Sequence, residues 1–236
     1  MGQSFFIWNG ADCRSKGVIL RSAAPIIRAE ERVQHVSIPG RSGDLTETEG
    51  SNIYNSYIHT LSISVRGGFR VREIYRWLRG DGYLTLSGEP NVRQKARIIG
   101  AITLTRVSRN IDHWAGEVQF YCQPFKELLQ EKTTGIASGG TVINTGDVEE
   151  YPDWSFQATA TSATISTGGR TLTIGGLTAG NDYLVRSDVK MVMTANMQTD
   201  LTAESSGEFP VLAEGINTVT GSGWSTMTVW RKERFL

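Results

Sequence analysis

Residues that commonly carry chemistry are scarce in this sequence. It has two cysteines, Cys13 and Cys122, and three histidines, His35, His59 and His113. No CxxC pair or Cys/His cluster has the spacing of a zinc site. Because the two cysteines are far apart and a chain of 236 residues can fold without disulfides, we expect both to be buried free thiols.

Long apolar runs and catalytic motifs are also missing. No stretch approaches the roughly 18 apolar residues of a membrane helix, and the N-terminus lacks the basic and apolar regions of a signal peptide. We therefore expect a soluble protein without a membrane partner. The motifs HExxH, GxSxG and GxxxxGK[ST] are absent, so no metal, cofactor or enzymatic activity is predicted. The one alternative is a glycosidase-type carboxylate pair within the loop that holds Asp147, Glu149, Glu150 and Asp153.

The net charge is zero but unevenly spread. Residues 1–126 hold 17 Lys and Arg against 11 Asp and Glu, a net of +6, and residues 127–236 hold 7 against 13, a net of −6. This asymmetry fits two units with different surroundings. The positive charge of the first part is too small to indicate a specific nucleic-acid partner.

Strand-type alternation dominates the first half of the chain. Leu61, Ile63 and Val65 alternate with polar residues, which is typical of a strand with one solvent-exposed face. The same period recurs in Trp114, Gly116, Val118, Phe120 and Cys122. Further strands are predicted at 83–86 and near 97–104. The fold class is therefore mainly β.

One helix interrupts the strands. Val71, Ile74, Tyr75 and Leu78 fall at i, i+3, i+4 and i+7, which gives an apolar stripe. Glycines at 80 and 82 supply a stop signal after it.

The second half is rich in Gly, Thr and Ser and predicts a β-sandwich of short strands. The periodicity lapses in KELLQEKTTGIASGG, so we place a boundary near Leu129, with one domain at 1–129 and another at 130–236. The last strand should partly bury Trp224, Met227 and Val229. Trp154 and Trp230 leave open a sugar-binding platform, although Trp154 shares its phase with a phenylalanine and is expected to be buried.

The segment at about 37–57 is long, polar and rich in turn residues. It is too long for an idle hairpin loop in a compact domain, so we expect an arm that a partner orders. A mobile surface excursion is the alternative.

Several motifs resemble the distal tail (Dit) proteins of long-tailed phages. FIWNGADCRSKGVIL resembles the opening of that family, REIYRWLRGDGYLTLSGEP its helix, glycine turn and strand, and VQFYCQPF the strand that closes its first domain. The most specific match is an Ile-Pro-Gly-Arg-x-Gly-Asp turn that leads into an arm. It is carried by Ile38, Pro39, Gly40, Arg41, Gly43, Asp44 and Leu45.

The second half resembles the family more loosely. VINTGDVEEYPDWSFQA resembles the opening of the C-terminal domain of the family. A Gly-x-Phe-Pro-x-Leu-x-x-Gly-x-Asn signature is carried by Gly207, Phe209, Pro210, Leu212, Gly215 and Asn217.

The resemblance implies a fold and a role. The N-terminal domain would be a tail-tube-like β-sandwich with one helix and an arm that reaches the neighbouring subunit, and six copies would form a ring. The C-terminal domain would be a galectin-like β-sandwich. The partners would be the tail tube protein, the tail-tip hub or fibre protein and a receptor-binding protein, and the location would be the distal tip of the virion tail. If the N-terminal domain lines a channel through which DNA passes, a basic lining would retain the DNA. The helix arginines Arg72, Arg76 and Arg79 would therefore face subunit interfaces or the exterior.

A carbohydrate-binding module and an enzyme of another type are the competing interpretations.

Overall fold

The computed structural model describes residues 4–48, Gly50 and residues 52–236. The chain divides into two compact units, one of Met1–Leu129 with Leu236 and one of Gln130–Phe235. We call them unit 1 and unit 2 and describe each by itself. Within the described residues, no helix is long and apolar enough to cross a membrane.

Unit 1 is built from nine strands and one α-helix among its described residues. The strands are β1 (Phe6–Trp8), β2 (Ala11–Asp12), β3 (Val18–Leu20), β4 (Val33–Ser37), β5 (Asp44–Thr48), β6 (Tyr57–Arg66), β7 (Asp81–Leu86), β8 (Val92–Ser108) and β9 (Ile111–Leu128). The α-helix is α1 (Val71–Trp77), and short 3₁₀ helices span Cys13–Lys16 and Gly68–Arg70.

Seven of these strands form one antiparallel sheet in the order β2-β1-β7-β8-β9-β6-β3, and β4 and β5 form a separate pair. The predicted alternation is confirmed in β6, where Leu61, Ile63 and Val65 are buried. In β9, Val118 and Phe120 are buried in the same core. The mainly β fold class is therefore confirmed.

Helix α1 covers the core of unit 1 as its apolar stripe predicts. Ile74 and Leu78 are 1% and 2% exposed, while Tyr75 lies at the border with 38% exposed. Trp77 stacks on Phe6, with ring centroids 5.6 Å apart. The apolar stripe therefore attaches the helix to the sheet, because short helices are stabilised mainly by such packing.

The end of unit 1 is more regular than the lapse in periodicity suggests. The structure continues β9 through Pro124 to Leu128 and begins β10 at Lys132, and the units divide between Leu129 and Gln130, next to the boundary that we place near Leu129. The register of β8 against β9 shifts between Gln94 and Ala96, which is where Pro124 lies on the facing strand. A bulge accommodates a proline because the ladder there needs no donor.

Unit 2 is a β-sandwich. Its strands are β10 (Lys132–Ala137), β11 (Gly140–Asn144), β12 (Asp153–Ala158), β13 (Ala163–Thr167), β14 (Arg170–Ile174), β15 (Asp182–Arg186), β16 (Met191–Thr194), β17 (Ser205–Gly207), β18 (Gly215–Ser222), β19 (Trp224–Arg231) and β20 (Arg234–Phe235), with a 3₁₀ helix at Thr202–Glu204. One sheet has the order β10-β19-β12-β15-β16 and the other β11-β18-β13-β14-β17.

The two sheets of unit 2 enclose a common apolar core. Trp154, Val185 and Val229 from one sheet and Ile165 and Leu172 from the other are fully buried in it. The indole N–H of Trp154 donates to Ser187 Oγ at 3.0 Å, so its polar atom is satisfied inside the core. The expected burial of Trp154 is confirmed.

A single glycine carries the chain from one sheet to the other between β18 and β19. Gly223 has φ +80°, and a Cβ there would overlap the carbonyl oxygen of Ser162. Only glycine adopts this conformation without strain. Beyond it Trp224, Met227 and Val229 are 5%, 1% and 0% exposed, so β19 is more deeply buried than predicted.

Candidate assembly interface

The arm motif forms the end of a β-hairpin. Strands β4 and β5 are antiparallel, with Val36 opposite Leu45 and Ser37 opposite Asp44. In the connection, Arg41 N donates to Ile38 O at 3.1 Å, and Gly40 has φ +83°. Proline at the second position and a positive φ at the third are the signature of a type II turn. Pro39 and Gly40 therefore start the reversal of the chain.

This hairpin is exposed on both faces. All five residues of β5 are exposed, and so are four of the five in β4. Val36, Leu45 and Ile38 remain 40%, 36% and 38% exposed. The cross-strand pair Val36–Leu45 thus presents an apolar patch that a partner could cover.

The base of the hairpin is fixed to the body of unit 1. Arg32 N donates to Ile53 O at 2.8 Å, and Asn55 N donates to Glu30 O at 2.8 Å. The Tyr54 ring packs edge-on against Phe125 at 5.7 Å. The projecting hairpin therefore begins at Val33, earlier than the start near residue 37 that the sequence suggested.

The C-terminal signature residues maintain the fold of unit 2. Gly207 has φ +96°, and a Cβ there would overlap the carbonyl oxygen of Thr171. Leu212 lies in the core, Pro210 is buried and Phe209 packs against the core. Gly215 begins β18 with φ +86°.

Asn217 clamps the turn that precedes β18. Its side-chain nitrogen donates to the carbonyl oxygens of Ala213 at 2.7 Å and Gly215 at 3.0 Å, and its Oδ1 accepts from Ala213 N at 2.9 Å. The signature residues therefore shape the turn that leads into β18. They do not form a cluster of reactive side chains.

The groups that could carry chemistry are dispersed. His35 is exposed and lies 3.2 Å from Thr46 Oγ1, His59 is buried without a hydrogen-bond partner, and His113 is half-buried. Residues 4–48, 50 and 52–236 contain no group of three His, Cys, Asp or Glu that could hold a metal ion. Cys13 and Cys122 are buried free thiols, as expected, and burial raises the pKa of both.

The acidic segment before β12 is a loop, as the sequence predicts, but part of it is buried. Glu150 is fully buried and pairs through its backbone with Leu212. Burial raises the pKa of the Glu150 carboxyl to about 7, although a backbone hydrogen bond from Lys232 and the charges of Arg231 and Arg234 act in the opposite direction. The loop also contains Glu149, which pairs with Arg170 at 2.7 Å, and Asp153, which pairs with Lys232 at 2.9 Å.

Three arginines of the helix segment lie on the surface of unit 1. Arg72, Arg76 and Arg79 are exposed. That they face subunit interfaces or the exterior stays a prediction.

Comparisons with known proteins agree with this architecture. No family model and no curated protein sequence matches the chain. The solved structure of the Dit protein (gp 19.1) of phage SPP1 matches with a TM-score of 0.81 and 20% sequence identity, covering 100% of both chains. The chain has the Dit fold. That structure is described as a paradigm of the hub adsorption apparatus in phages that infect Gram-positive bacteria.

The Dit fold accounts for both units, since the match covers the whole chain. At 20% identity the likeness is one of architecture.

Proposed function

We propose that this protein is a Dit-type structural subunit of a phage tail tip, without enzymatic activity. Six copies form a ring that joins the tail tube to the host-adsorption apparatus. The observation that carries the proposal is the exposed hairpin Val33–Thr48, displayed on a chain with the fold of SPP1 Dit. A hairpin with exposed Val36 and Leu45 is an interaction element, because isolated two-stranded hairpins are only marginally stable in water.

The two units take different roles in this proposal. Unit 1 forms the ring and contacts the tail tube protein on one side and the tail-tip hub or fibre protein on the other. Unit 2, a galectin-like sandwich, lies on the outside of the ring and docks a receptor-binding protein.

The location in the virion tests this role. Antibodies against the chain should label the end of the tail that lies farthest from the capsid in electron micrographs of the phage. Labelling along the whole tube or on the capsid would contradict the proposal.

A carbohydrate-binding role has one observation in its favour. Trp230 lies on the outer face of β19, between Thr133 of β10 and Asp153 of β12, and is only partly buried. An indole beside polar side chains can stack on a sugar ring. Binding of glycans to the intact chain, lost in Trp230→Ala, would support this role; an empty glycan array would exclude it for the sugars tested.

A further inference from the structure

A polar pocket lies at one end of unit 2, between two turns. Its volume is about 310 Å³, and residues 180–182 and 194–196 line it. The first stretch ends on the first residue of β15, and the second begins on the last residue of β16, the strand that pairs with β15. A volume at the lower end of the range for small-ligand sites suits a compact ligand of one ring.

The turn before β15 is fixed by hydrogen bonds to the body of unit 2. Gly180 N donates to Ala158 O at 2.8 Å, and Gly180 O accepts from Gln157 Nε2 at 3.0 Å. Thr178 N donates to the hydroxyl of Tyr183 at 2.8 Å, and Tyr183 is itself buried. This wall of the pocket is therefore held in place by the sandwich.

The turn after β16 is fixed by its own side chains. Thr194 N donates to Thr199 O at 3.0 Å, and Thr199 N donates to Thr194 Oγ1 at 3.1 Å. The Asn196 side chain accepts from Thr194 Oγ1 at 2.6 Å and donates to Gln198 Oε1 at 3.1 Å. Both walls of the pocket are thus set before a ligand arrives, which reduces the entropy that binding costs.

Two polar side chains of the pocket lack a partner. Asp182 supplies the one charged group that lines it, and this carboxylate forms no hydrogen bond or ion pair with any residue that the structure describes. The neighbouring Asn181 amide is also exposed and without a hydrogen bond in the described part of the chain. The backbone beneath them is anchored, because Ala195 N donates to Asp182 O at 2.9 Å. The pocket therefore presents a carboxylate and an amide side by side, ready for a ligand.

These groups match the hydroxyls of a sugar. A carboxylate accepts only, whereas an amide both donates and accepts, and a sugar hydroxyl does both. A charged carboxylate can take the protons of two adjacent hydroxyls, one on each oxygen. An anionic ligand would be repelled by Asp182. A calcium ion needs roughly six to eight oxygen ligands, and no group of three acidic, histidine or cysteine side chains that could hold a metal ion occurs among the residues that the structure describes.

We propose that this pocket binds one ring of an uncharged sugar, with the Asp182 carboxylate accepting from two adjacent hydroxyls and the Asn181 amide bonding to a neighbouring one. The site is separate from Trp230, because β12 lies between β15 and β19 in the sheet. The binding itself goes beyond the structural role and does not depend on a ring. Only its use, contact with a glycan of the host surface, rests on the proposed function.

Saturation-transfer NMR on the intact chain tests the site. The probes are methyl α-mannoside, methyl α-glucoside, methyl β-galactoside and N-acetylglucosamine, which differ in the arrangement of their adjacent hydroxyls. At least one should bind with a dissociation constant on the order of 1 mM, as is usual for a ligand of so few atoms. Asp182→Asn keeps the shape of the side chain and removes its charge, so binding should weaken at least about tenfold.

The control is Glu214→Gln. It removes the charge of another exposed carboxylate of unit 2, just before β18 of the other sheet, and should bind the sugar like the wild type. Circular dichroism of each variant shows whether the fold is retained.

The remaining outcomes overturn the proposal in different ways. If none of the four sugars receives saturation, or if both charge variants weaken binding equally, the pocket is not a sugar site. If Trp230→Ala abolishes binding and Asp182→Asn does not, the sugar lies on Trp230 instead. If calcium chloride raises the melting temperature and Asp182→Asn removes that rise while no sugar binds, the pocket holds a cation. The mass of the assembly is measured separately, so failure of the sugar site leaves the ring untouched.

Discussion

Glu150 and Leu212 exchange both backbone hydrogen bonds, at 2.8 and 3.0 Å, and so hold the Glu150 carboxyl inside unit 2. Glu233 is buried in the same unit but receives hydrogen bonds from Lys132 Nζ and Thr145 Oγ1, each at 2.7 Å. Burial alone would raise the pKa of Glu233, but these hydrogen bonds outweigh it and lower the pKa. At mildly acidic pH Glu150 is therefore mostly protonated, whereas Glu233 is ionised.

Glu150 should make unit 2 less stable as the pH rises. Its pKa is about 7 in the folded chain against an ordinary 4.5, so the folded state holds the proton more tightly. The stabilising effect is complete below about 4.5 and is lost as the pH rises through 7, a change on the order of 3 kcal/mol in the free energy of unfolding. In Glu150→Gln this loss should disappear. Urea unfolding at pH 5 and pH 8 measures the difference, and equal pH dependence in both proteins would contradict a buried, protonated Glu150.

His59 should make unit 1 less stable as the pH falls. Burial and, to a lesser extent, Lys126 lower the pKa of His59, and neither ring nitrogen has a partner. The unfolded chain therefore takes up the proton first, and stability should fall as the pH drops below about 6.5. His59→Leu should flatten this acid limb in thermal unfolding followed between pH 7.5 and 5. A variant as acid-sensitive as the wild type would show that other groups cause the loss.

The glycine between the two sheets of unit 2 should not tolerate a side chain. Gly223→Ala adds a clash with the Ser162 carbonyl to the strain of a positive φ, for an expected loss of about 2 kcal/mol or more. Gly139→Ala is the matched control, because φ is +84° there and nothing lies within 4 Å of the added Cβ. Its loss should be about 1 kcal/mol. If urea unfolding shows the same loss of unfolding free energy in both variants, the backbone at Gly223 moves enough to relieve the clash.

The apolar pair of the hairpin should matter for assembly and little for folding. Val36→Ser and Leu45→Ser change exposed side chains that lie opposite each other in the hairpin, so the melting temperature of the monomer should change by less than about 2 °C. The fraction of assembled protein should fall in size-exclusion chromatography. Val189→Ser, at a position 48% exposed in unit 2, serves as the control and should assemble normally.

Local pattern predicted some elements well. The stripe of Val71, Ile74 and Leu78 specified helix α1, and the alternation around Ile63 and Val118 specified two central strands. These predictions worked because a period in the sequence maps directly onto a buried face.

Other features depend on contacts between distant residues. The burial of Glu150 comes from its pairing with Leu212, and an acidic residue in a stretch that resembles a loop gives no sign of it. Arg14 and Arg66 line one cleft of unit 1 because β3, which follows Arg14, pairs with β6, which ends at Arg66. The turn at 38–41 was predicted, but strand β5 after it was not, because its exposed residues show no apolar period.

The absolute mass of the purified protein tests the central claim most directly. Light scattering on the size-exclusion peak, with negative-stain images of the same fraction, should give six times 26.0 kDa, about 156 kDa, and ring-shaped particles. A mass of 26.0 kDa at all concentrations, unchanged when tail tube and hub proteins are added, would contradict a ring subunit.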